Sequence, residues 1–172
     1  MKQIKTGLAI LLALIALSAC KEHHGSEGDH DGHAEAVHEE DQKESMAALK
    51  ERLAAEGFQI GDYVDEKTQD TIIMQQYFIA FLKRGENRSQ SEEEANKLQA
   101  AHLAHLGKMY DLGYADISGP FGDDGDIRGI TIYNVPTLQM ADSLANADPM
   151  VKAGRLVIEV HPWWAAKGFP LR

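Results

Sequence analysis

The amino-acid sequence predicts one α+β domain whose elements alternate in the order β-α-β-β-α-β. Two observations carry this prediction. A long amphipathic helical pattern over residues 91–112 lies between two stretches with strand character, and a second helical pattern over residues 137–147 lies between two more. With 172 residues, 44% of them hydrophobic and 26% charged, the chain has room for one small domain and some additional segments.

The N-terminal residues have the layout of a secretory signal. Lys2 and Lys5 precede an apolar run over residues 7–17, and small residues then lead to Cys20. The run is too short to span a membrane as a mature helix. The sequence LSAC at residues 17–20 resembles the lipobox of bacterial lipoproteins. This resemblance implies cleavage before Cys20 and attachment of lipid to its thiol, which would hold the mature chain at a membrane.

The cysteine content, the residue after Cys20 and the net charge indicate where the protein is located and which partners it binds. Cys20 is the only cysteine, so the exported part would hold no internal disulfide. In bacteria that sort lipoproteins by the residue after the cysteine, Lys21 implies the outer membrane, which places the domain in the periplasm. The formal net charge is −10, and such a surface repels phosphate backbones. Nucleic acid is therefore not an expected partner, whereas small organic molecules and metal ions are candidates.

Residues 20–44 are predicted to be a disordered tether. The stretch is polar, acidic and rich in glycine, and it has too few apolar residues to bury a core. Five of its residues are histidines interleaved with acidic side chains: His23, His24, His30, His33 and His38. Imidazole and carboxylate groups suit Zn, Ni or Cu, so one interpretation is metal scavenging or loading at the membrane surface. The other interpretation is a soluble spacer, and no cofactor is required by the remaining motifs.

A short helix, a loop and a strand precede the long helix. Residues 45–56 predict a helix that packs on the domain as an accessory element, and residues 58–70 predict a connecting loop. Residues 72–82 predict the first strand, because β-branched and aromatic side chains follow one another as in a strand covered on both faces. Residues 83–90 predict a polar loop whose basic residues Lys83, Arg84 and Arg88 could reach an anionic substrate, but side chains of this kind are expected to be solvated. No function is predicted for residues 45–71.

The long helix has a clear beginning and end. Ser91 predicts its N-cap, and Glu94 three residues later completes a capping box. Gly113 predicts its end. Apolar positions recur at three- and four-residue steps to form one stripe, and two members of this stripe are His102 and His105. A histidine on a core-facing stripe needs a hydrogen-bond partner, so this helix is a candidate for the functional site.

The remaining elements complete the domain. Further strands are predicted over residues 114–118, 127–135 and 155–160. Asp124-Gly125 predicts a hairpin turn, whose acidic neighbours lack the ligand spacing of an EF-hand calcium loop. After the helix at residues 137–147, Asp148 predicts the cap of a single helical turn that begins at Pro149. The resulting element order is the split βαβ arrangement of ferredoxin-like folds.

Several short motifs coincide over residues 74–164. They are FLK at 81–83, HLAHL at 102–106, SGPF at 118–121, GI at 129–130, DPMVKAG at 148–154 and HPW at 161–163. At this separation they resemble the YCII-related (YciI-like) family. The resemblance implies a ferredoxin-like fold, dimerisation into an α/β barrel, and a cleft that holds a His/Asp dyad. By position, the dyad is implied to be His102 with Asp148, and His105 is not the family residue.

The motifs and the composition together predict a domain organisation, and the resemblance implies a substrate class. The predicted parts are a lipoprotein signal at 1–19, the tether at 20–44, an accessory helix and connector at 45–71, a YCII-like domain at 72–164 and a tail at 165–172. Relatives with an assigned reaction act on small cyclic organic compounds. A small organic substrate is therefore expected, without a particular compound.

The expected chemistry is acid–base catalysis. A carboxylate that accepts the proton of one imidazole nitrogen fixes the tautomer and makes the other nitrogen a base suited to neutral pH. His102 with Asp148 would then abstract a proton next to a carbonyl, assist an elimination or activate a water. No nucleophilic serine or cysteine stands beside them in the motifs, which disfavours acyl-enzyme chemistry. The candidate substrate-binding residues are Gly119, Pro120, Arg128 and Tyr77.

Alternatives remain open at this stage. His102 could be a core histidine, with Asp148 serving only as the cap of its turn. Alternatively, His102, His105 and Asp148 could bind a metal such as zinc. The expected function is a membrane-anchored periplasmic enzyme of lyase, isomerase or hydrolase type. Its alternatives are a lipoprotein that binds a small ligand or a metal without turnover, and a structural lipoprotein that functions as a homodimer.

Overall fold

A computed structural model describes residues 44–169 and 171 of the chain. All of them belong to one compact unit, Asp41–Arg172. The predicted signal at 1–19, the predicted lipid attachment at Cys20 and the predicted tether up to residue 43 lie outside the described residues. Among the helices that are described, none is long and apolar enough to cross a membrane.

The described residues form five strands and four helices. In chain order they are α1 (Met46–Ala55), β1 (Ile60–Val64), β2 (Thr71–Arg84), α2 (Glu92–Asp111), β3 (Ala115–Pro120), β4 (Ile127–Tyr133), α3 (Leu138–Asn146), α4 (Pro149–Lys152) and β5 (Leu156–Ala166). From β2 onward this is a β-α-β-β-α-β order, with α4 as an additional turn. The predicted α+β, ferredoxin-like fold is confirmed.

The sheet is antiparallel and β2 is its central strand. β5 pairs with one edge of β2, from Arg84 opposite Leu156 to Met74 opposite Ala166. β4 pairs with the other edge, and β3 pairs with β4. The spatial order is therefore β5-β2-β4-β3. Counted from β2, this is the fourth, first, third and second strand, which is the ferredoxin-like arrangement. Because β5 occupies one edge of β2 at Met74, β1 lies along the other edge, beyond the end of β4.

Helices α2 and α3 cover one face of this sheet. Successive side chains of a strand point to opposite faces, so Phe78, Ala80 and Leu82 share the helical face. The main core cluster there comprises Phe78, Ala80, Met109, Ala115, Tyr133, Val135, Ala141 and Ala145. The opposite face carries Tyr77, and within the described residues it keeps large apolar side chains in contact with solvent, including Val157 (52% exposed) and Trp163 (41%).

Two sequence-based expectations need correction. The segment at 58–70, expected to be a loop, contains β1, because β2 is longer than β4 and offers unpaired backbone groups to a further strand. The last strand, expected to end at residue 160, continues to Ala166. Pro162 does not interrupt it, because β5 is at the edge of the sheet and proline is tolerated on an edge strand.

The predicted start of the long helix is confirmed in detail. The Ser91 hydroxyl accepts a hydrogen bond from the Glu94 N–H at 3.2 Å, and the Ser91 N–H donates to Glu94 Oε2 at 2.9 Å. Gly113 follows the helix with a φ of +71°, a conformation that favours glycine. These caps fix the ends of α2, and the buried side of the helix then carries His102 and Met109.

Candidate functional site

His102 and Asp148 meet in the interior of the domain. His102 Nδ1 lies 2.6 Å from Asp148 Oδ2, although the residues are 46 positions apart. His102 is 9% exposed and Asp148 is 2% exposed, so solvent competes little for this contact. The sequence-based pairing of the two residues therefore corresponds to a direct buried hydrogen bond.

The backbone holds Asp148 in a fixed orientation. Asp148 is the N-cap of α4, and its Oδ1 accepts a hydrogen bond from the Met150 N–H at 2.8 Å. Pro149 occupies the first helical position, where its missing N–H costs nothing. One carboxylate oxygen is thus used by the cap and the other by His102. The expectation that Asp148 caps this turn is confirmed, and capping and contact with the histidine occur together.

This contact determines which imidazole nitrogen carries the proton. A carboxylate oxygen accepts hydrogen bonds, so the neutral His102 ring bears its hydrogen on Nδ1. Nε2 is then a lone-pair acceptor, and it makes no hydrogen bond to any residue between 44 and 169. His102 also lines a cavity of about 400 Å³. The ring can therefore accept a proton from a molecule bound in that cavity.

The cavity has an apolar and a polar part. It lies against α2, β3, β4 and the beginning of β5. Its apolar lining comprises Leu82, Leu103, Leu106, Ile130, Met150 and Leu156. Its polar lining comprises Arg88, Gln99, His102, Ser118, Arg128 and Arg155 together with backbone at Gly119, Pro120 and Gly129. A small organic molecule with both apolar and polar groups would match such a lining.

Three of the four candidate substrate-binding residues share this cavity with His102. Gly119, Pro120 and Arg128 line it. Tyr77 does not, because it points to the opposite face of the sheet, where its ring contacts Trp163 at 6.2 Å between centroids and lies under the Lys167 ammonium at 5.5 Å. The expectation that Tyr77 contributes to the same site is therefore not met.

The metal interpretation of His102, His105 and Asp148 is wrong. His105 Nε2 lies 3.1 Å from the carbonyl oxygen of Leu144, to which it donates a hydrogen bond. No group of three histidine, cysteine, aspartate or glutamate side chains in the described part of the chain is placed to hold a metal ion. His105 instead connects α2 to α3.

The loop between β2 and α2 carries Arg88 to the cavity. The sequence-based expectation was instead that the basic side chains of this loop are solvated. The loop is bonded to the turn after α4: the Gly85 N–H donates to Arg155 O at 2.9 Å, and the Asn87 side chain donates to Ala153 O at 2.9 Å. A Cβ atom at Gly85 would lie 2.2 Å from the Gly154 carbonyl oxygen, so only glycine permits this approach. Arg88 consequently lines the cavity.

Two further polar residues belong to the surroundings of the site: Ser118 lines the cavity, and Tyr133 lies near Asp148. Ser118 Oγ is 3.0 Å from Thr131 Oγ1. This hydrogen bond orients the Ser118 hydroxyl, which lines the cavity. Burial raises the pKa of the Tyr133 phenol well above its usual range, and the charge of Asp148 is a smaller cause. Tyr133 is thus a neutral neighbour of the Asp148 carboxylate near pH 7.

The fold and the cavity define a class: a small ferredoxin-like α+β domain with a buried His–Asp pair at a cleft of its helical face. The family model of the YCII-related domain matches residues 78–164, about half of the chain, and the protein belongs to this family. This confirms the resemblance noted in the sequence.

Several solved structures contain a chain that is similar to this one, and one of them is an enzyme. It is 5-chloro-2-hydroxyhydroquinone dehydrochlorinase from Burkholderia phenoliruptrix, in complex with 2,5-dihydroxybenzoquinone, with 26% sequence identity and a TM-score of 0.38. The similarity covers 51% of this chain and 92% of that chain. No functionally curated protein matches the sequence.

Proposed function

We propose that this protein is an enzyme that uses His102 as a general base on a small organic compound, with Asp148 as the residue that orients the imidazole. The observation that supports the proposal is the 2.6 Å contact between the two buried side chains at the wall of a cavity. A buried histidine with a purely structural role also needs a hydrogen-bond partner, but it would not need to line an open cavity. The reaction class is a proton abstraction that leads to elimination, isomerisation or hydrolysis.

In the proposed mechanism, Asp148 and His102 have different roles. Asp148 keeps the hydrogen of His102 on Nδ1, so Nε2 is ready to take a proton from the substrate. The imidazolium that forms is then stabilised by the adjacent carboxylate, and it can return the proton to the leaving group or to another carbon. A positioned base of this kind contributes a rate factor of roughly 10²–10⁴.

The test is a screen of small carbonyl and phenolic compounds with the wild-type protein, His102→Gln and His105→Gln. The expected result is turnover of at least one compound by the wild type, its loss in His102→Gln, and its retention in His105→Gln. His105 is the matched control because it lies one turn away on α2 and bonds to a backbone carbonyl instead of a carboxylate. Full turnover by His102→Gln would contradict the proposed role.

We further propose that the enzyme is a homodimer held at the periplasmic side of the outer membrane by lipid on Cys20. The motifs at residues 2–21 support the anchor and the location. The open face of the sheet supports the dimer, because Ile117, Val157 and Trp163 expose apolar surface there within the described residues. A binding protein that holds the same ligand without turnover is the alternative, and the screen above separates it from an enzyme.

A further inference from the structure

Four arginines gather around the His102 cavity in a chain whose formal net charge is −10. They come from separate parts of the sequence: Arg84 ends β2, Arg88 lies in the following loop, Arg128 belongs to β4 and Arg155 precedes β5. Arg88, Arg128 and Arg155 line the cavity itself. The electrostatic character of this site is therefore opposite to that of the protein as a whole.

The carboxylates nearby neutralise only part of this charge. Asp124 Oδ1 accepts from Arg84 at 2.9 Å and from Arg128 at 2.8 Å, so one carboxylate serves two guanidinium groups. Arg88 has no ion pair with any residue between 44 and 169. Arg155 Nη1 donates to the neutral Gln90 side chain at 2.9 Å. At least two positive charges thus lack an acidic partner within the described part of the chain.

Arg155 also has an unused donor. Its Nε–H is buried and has no acceptor among the described residues. A buried donor without an acceptor is destabilising, so a bound acceptor that reaches this Nε–H would be favourable. Nη1 is held by Gln90, which leaves the edge formed by Nε and Nη2 to bind a ligand.

The arginines are close enough to repel one another. The pKa of the Arg88 guanidinium is lowered, first by partial burial and then by the charges of Arg155, Arg84 and Arg128. Like charges at short range raise the free energy of the folded state, and a bound anion would remove this cost. The loop that carries Arg88 is bonded to the turn after α4, so the group is already in place before a ligand arrives.

We propose that this cavity recognises the carboxylate group of a small organic acid, with Arg88 and Arg155 binding the carboxylate and the apolar lining receiving the carbon skeleton. The inference rests on the proposed function in one respect: it assigns the class of compound whose proton His102 would remove. A guanidinium presents two parallel N–H donors, which match the two oxygens of a planar carboxylate. The substrate is then an organic acid with a removable proton a few bonds from its carboxylate.

The experiment measures binding by isothermal titration calorimetry at low salt. The probes are benzoate, phenylacetate, maleate and 2-oxobutyrate, each paired with its neutral amide, and inorganic phosphate as a separate anion. The expected result is that at least one carboxylate binds about tenfold or more tightly than its amide, and that its affinity falls as salt is added. If no carboxylate binds better than its amide, or if phosphate alone binds, the proposal is overturned.

Variants connect the affinity to particular residues. Arg88→Gln and Arg155→Gln are each expected to weaken the preferred carboxylate about tenfold. Arg155→Lys keeps the charge but lacks the Nε donor, so it is expected to bind with intermediate affinity. Arg52→Gln is the matched control, because it removes the same charge from an exposed position on α1 that does not line the cavity. Arg88 is exposed and has no ion pair within the described part of the chain, so Arg88→Gln is expected to fold. It therefore tests the proposal even if Arg155→Gln does not fold.

A separate readout distinguishes failure of this inference from failure of the proposed function. Nitrogen-15 NMR of the ligand-free protein reports which nitrogen of His102 carries hydrogen. If Nδ1 is protonated and the carboxylates bind no better than their amides, the anion inference fails and the proposed base stands. If the carboxylates bind through the arginines and Nε2 carries the hydrogen, the anion inference stands and the proposed base fails.

Discussion

At the scale of single residues, Asp148 combines two tasks that are usually separate. One carboxylate oxygen caps α4, and the other receives the Nδ1 hydrogen of His102. Because the cap holds the carboxylate rigidly, the histidine receives a fixed orientation without a further hydrogen-bond partner. The two interpretations that the sequence left open for Asp148, a cap or a member of a dyad, are therefore compatible.

Asp148→Asn separates these two tasks. Asparagine caps a helix about as well as aspartate, so stability is expected to fall by little, whereas Asp148→Ala loses about 1 kcal/mol more for the missing cap. The amide lacks the negative charge that favours hydrogen on Nδ1 and stabilises the imidazolium. Turnover is expected to fall by at least about 10²-fold in both variants. Urea unfolding and steady-state kinetics on the best compound of the screen measure the two effects, and unchanged turnover in Asp148→Asn would contradict the orienting role.

Tyr77 gives a pH-dependent prediction at the same scale. Burial raises its pKa to about 12, and the charge of Asp116 adds to this shift. The unfolded chain releases this proton near pH 10, so the favourable contribution to folding is complete below pH 10 and is lost as the pH rises to 12. Tyr77→Phe is expected to flatten the fall in stability over this interval, as measured by urea unfolding at pH 9, 10 and 11. Equal slopes for variant and wild type would show that Tyr77 does not ionise in this way.

At the scale of elements, the capping box of α2 determines where the helix begins, and the apolar stripe that follows places His102 on its buried side. Ser91 and Glu94 exchange two hydrogen bonds at this end. Such a signal is local in sequence, which explains why this helix and its buried histidine could be predicted. The strand β1 could not, because it is five residues long, mostly exposed, and formed only where β2 offers a free edge.

Ser91→Ala is expected to lower the free energy of unfolding by about 1 kcal/mol, because the first turn of α2 loses an acceptor for the Glu94 N–H. Ser143→Ala is the control, since Ser143 is an exposed residue inside α3. The NMR signal of His102 should be the same in both variants, because its partner is held by α4 and not by the start of α2. A loss in Ser143→Ala as large as in Ser91→Ala would exclude the cap as the cause.

At the scale of the whole molecule, the site is built from residues that are distant in sequence. The pairing of His102 with Asp148 could be predicted only because several motifs together resembled a family. The sequence marks Arg88 and Arg128 as residues that could meet a substrate, but it does not predict that they share a cavity with Arg155. The three arginines meet through the shifted register of β2 with β4 and the close approach at Gly85. The prediction that Tyr77 lines the site fails because a position within a strand does not show which face of the sheet holds the cavity.

The open face of the sheet gives a prediction about assembly. Adjacent tryptophans on β5 point to opposite faces: Trp163 lies opposite Tyr77 and Trp164 opposite Gln76. If the open face joins two copies, Trp163→Ser and Val157→Glu should each shift the protein from dimer to monomer in sedimentation velocity. Trp164→Ser is the matched control, because it removes a similarly exposed ring from the other face and should leave the dimer intact. A wild-type monomer at micromolar concentration would exclude this interface.

The histidine-rich stretch gives the last prediction, which concerns metal. Five histidines with neighbouring carboxylates, over residues 23–40, supply borderline and hard ligands for Zn, Ni and Cu. Ligands on one stretch of chain bind the ion at the cost of ordering that stretch, so moderate affinity is expected. Calorimetry on the chain from residue 21 onward and on a chain that begins at residue 44 should show binding only in the longer one, because the described residues place no three such ligands together. Equal titration curves would exclude metal binding by this stretch, while equal turnover of the two chains would show that the His102 site works without it.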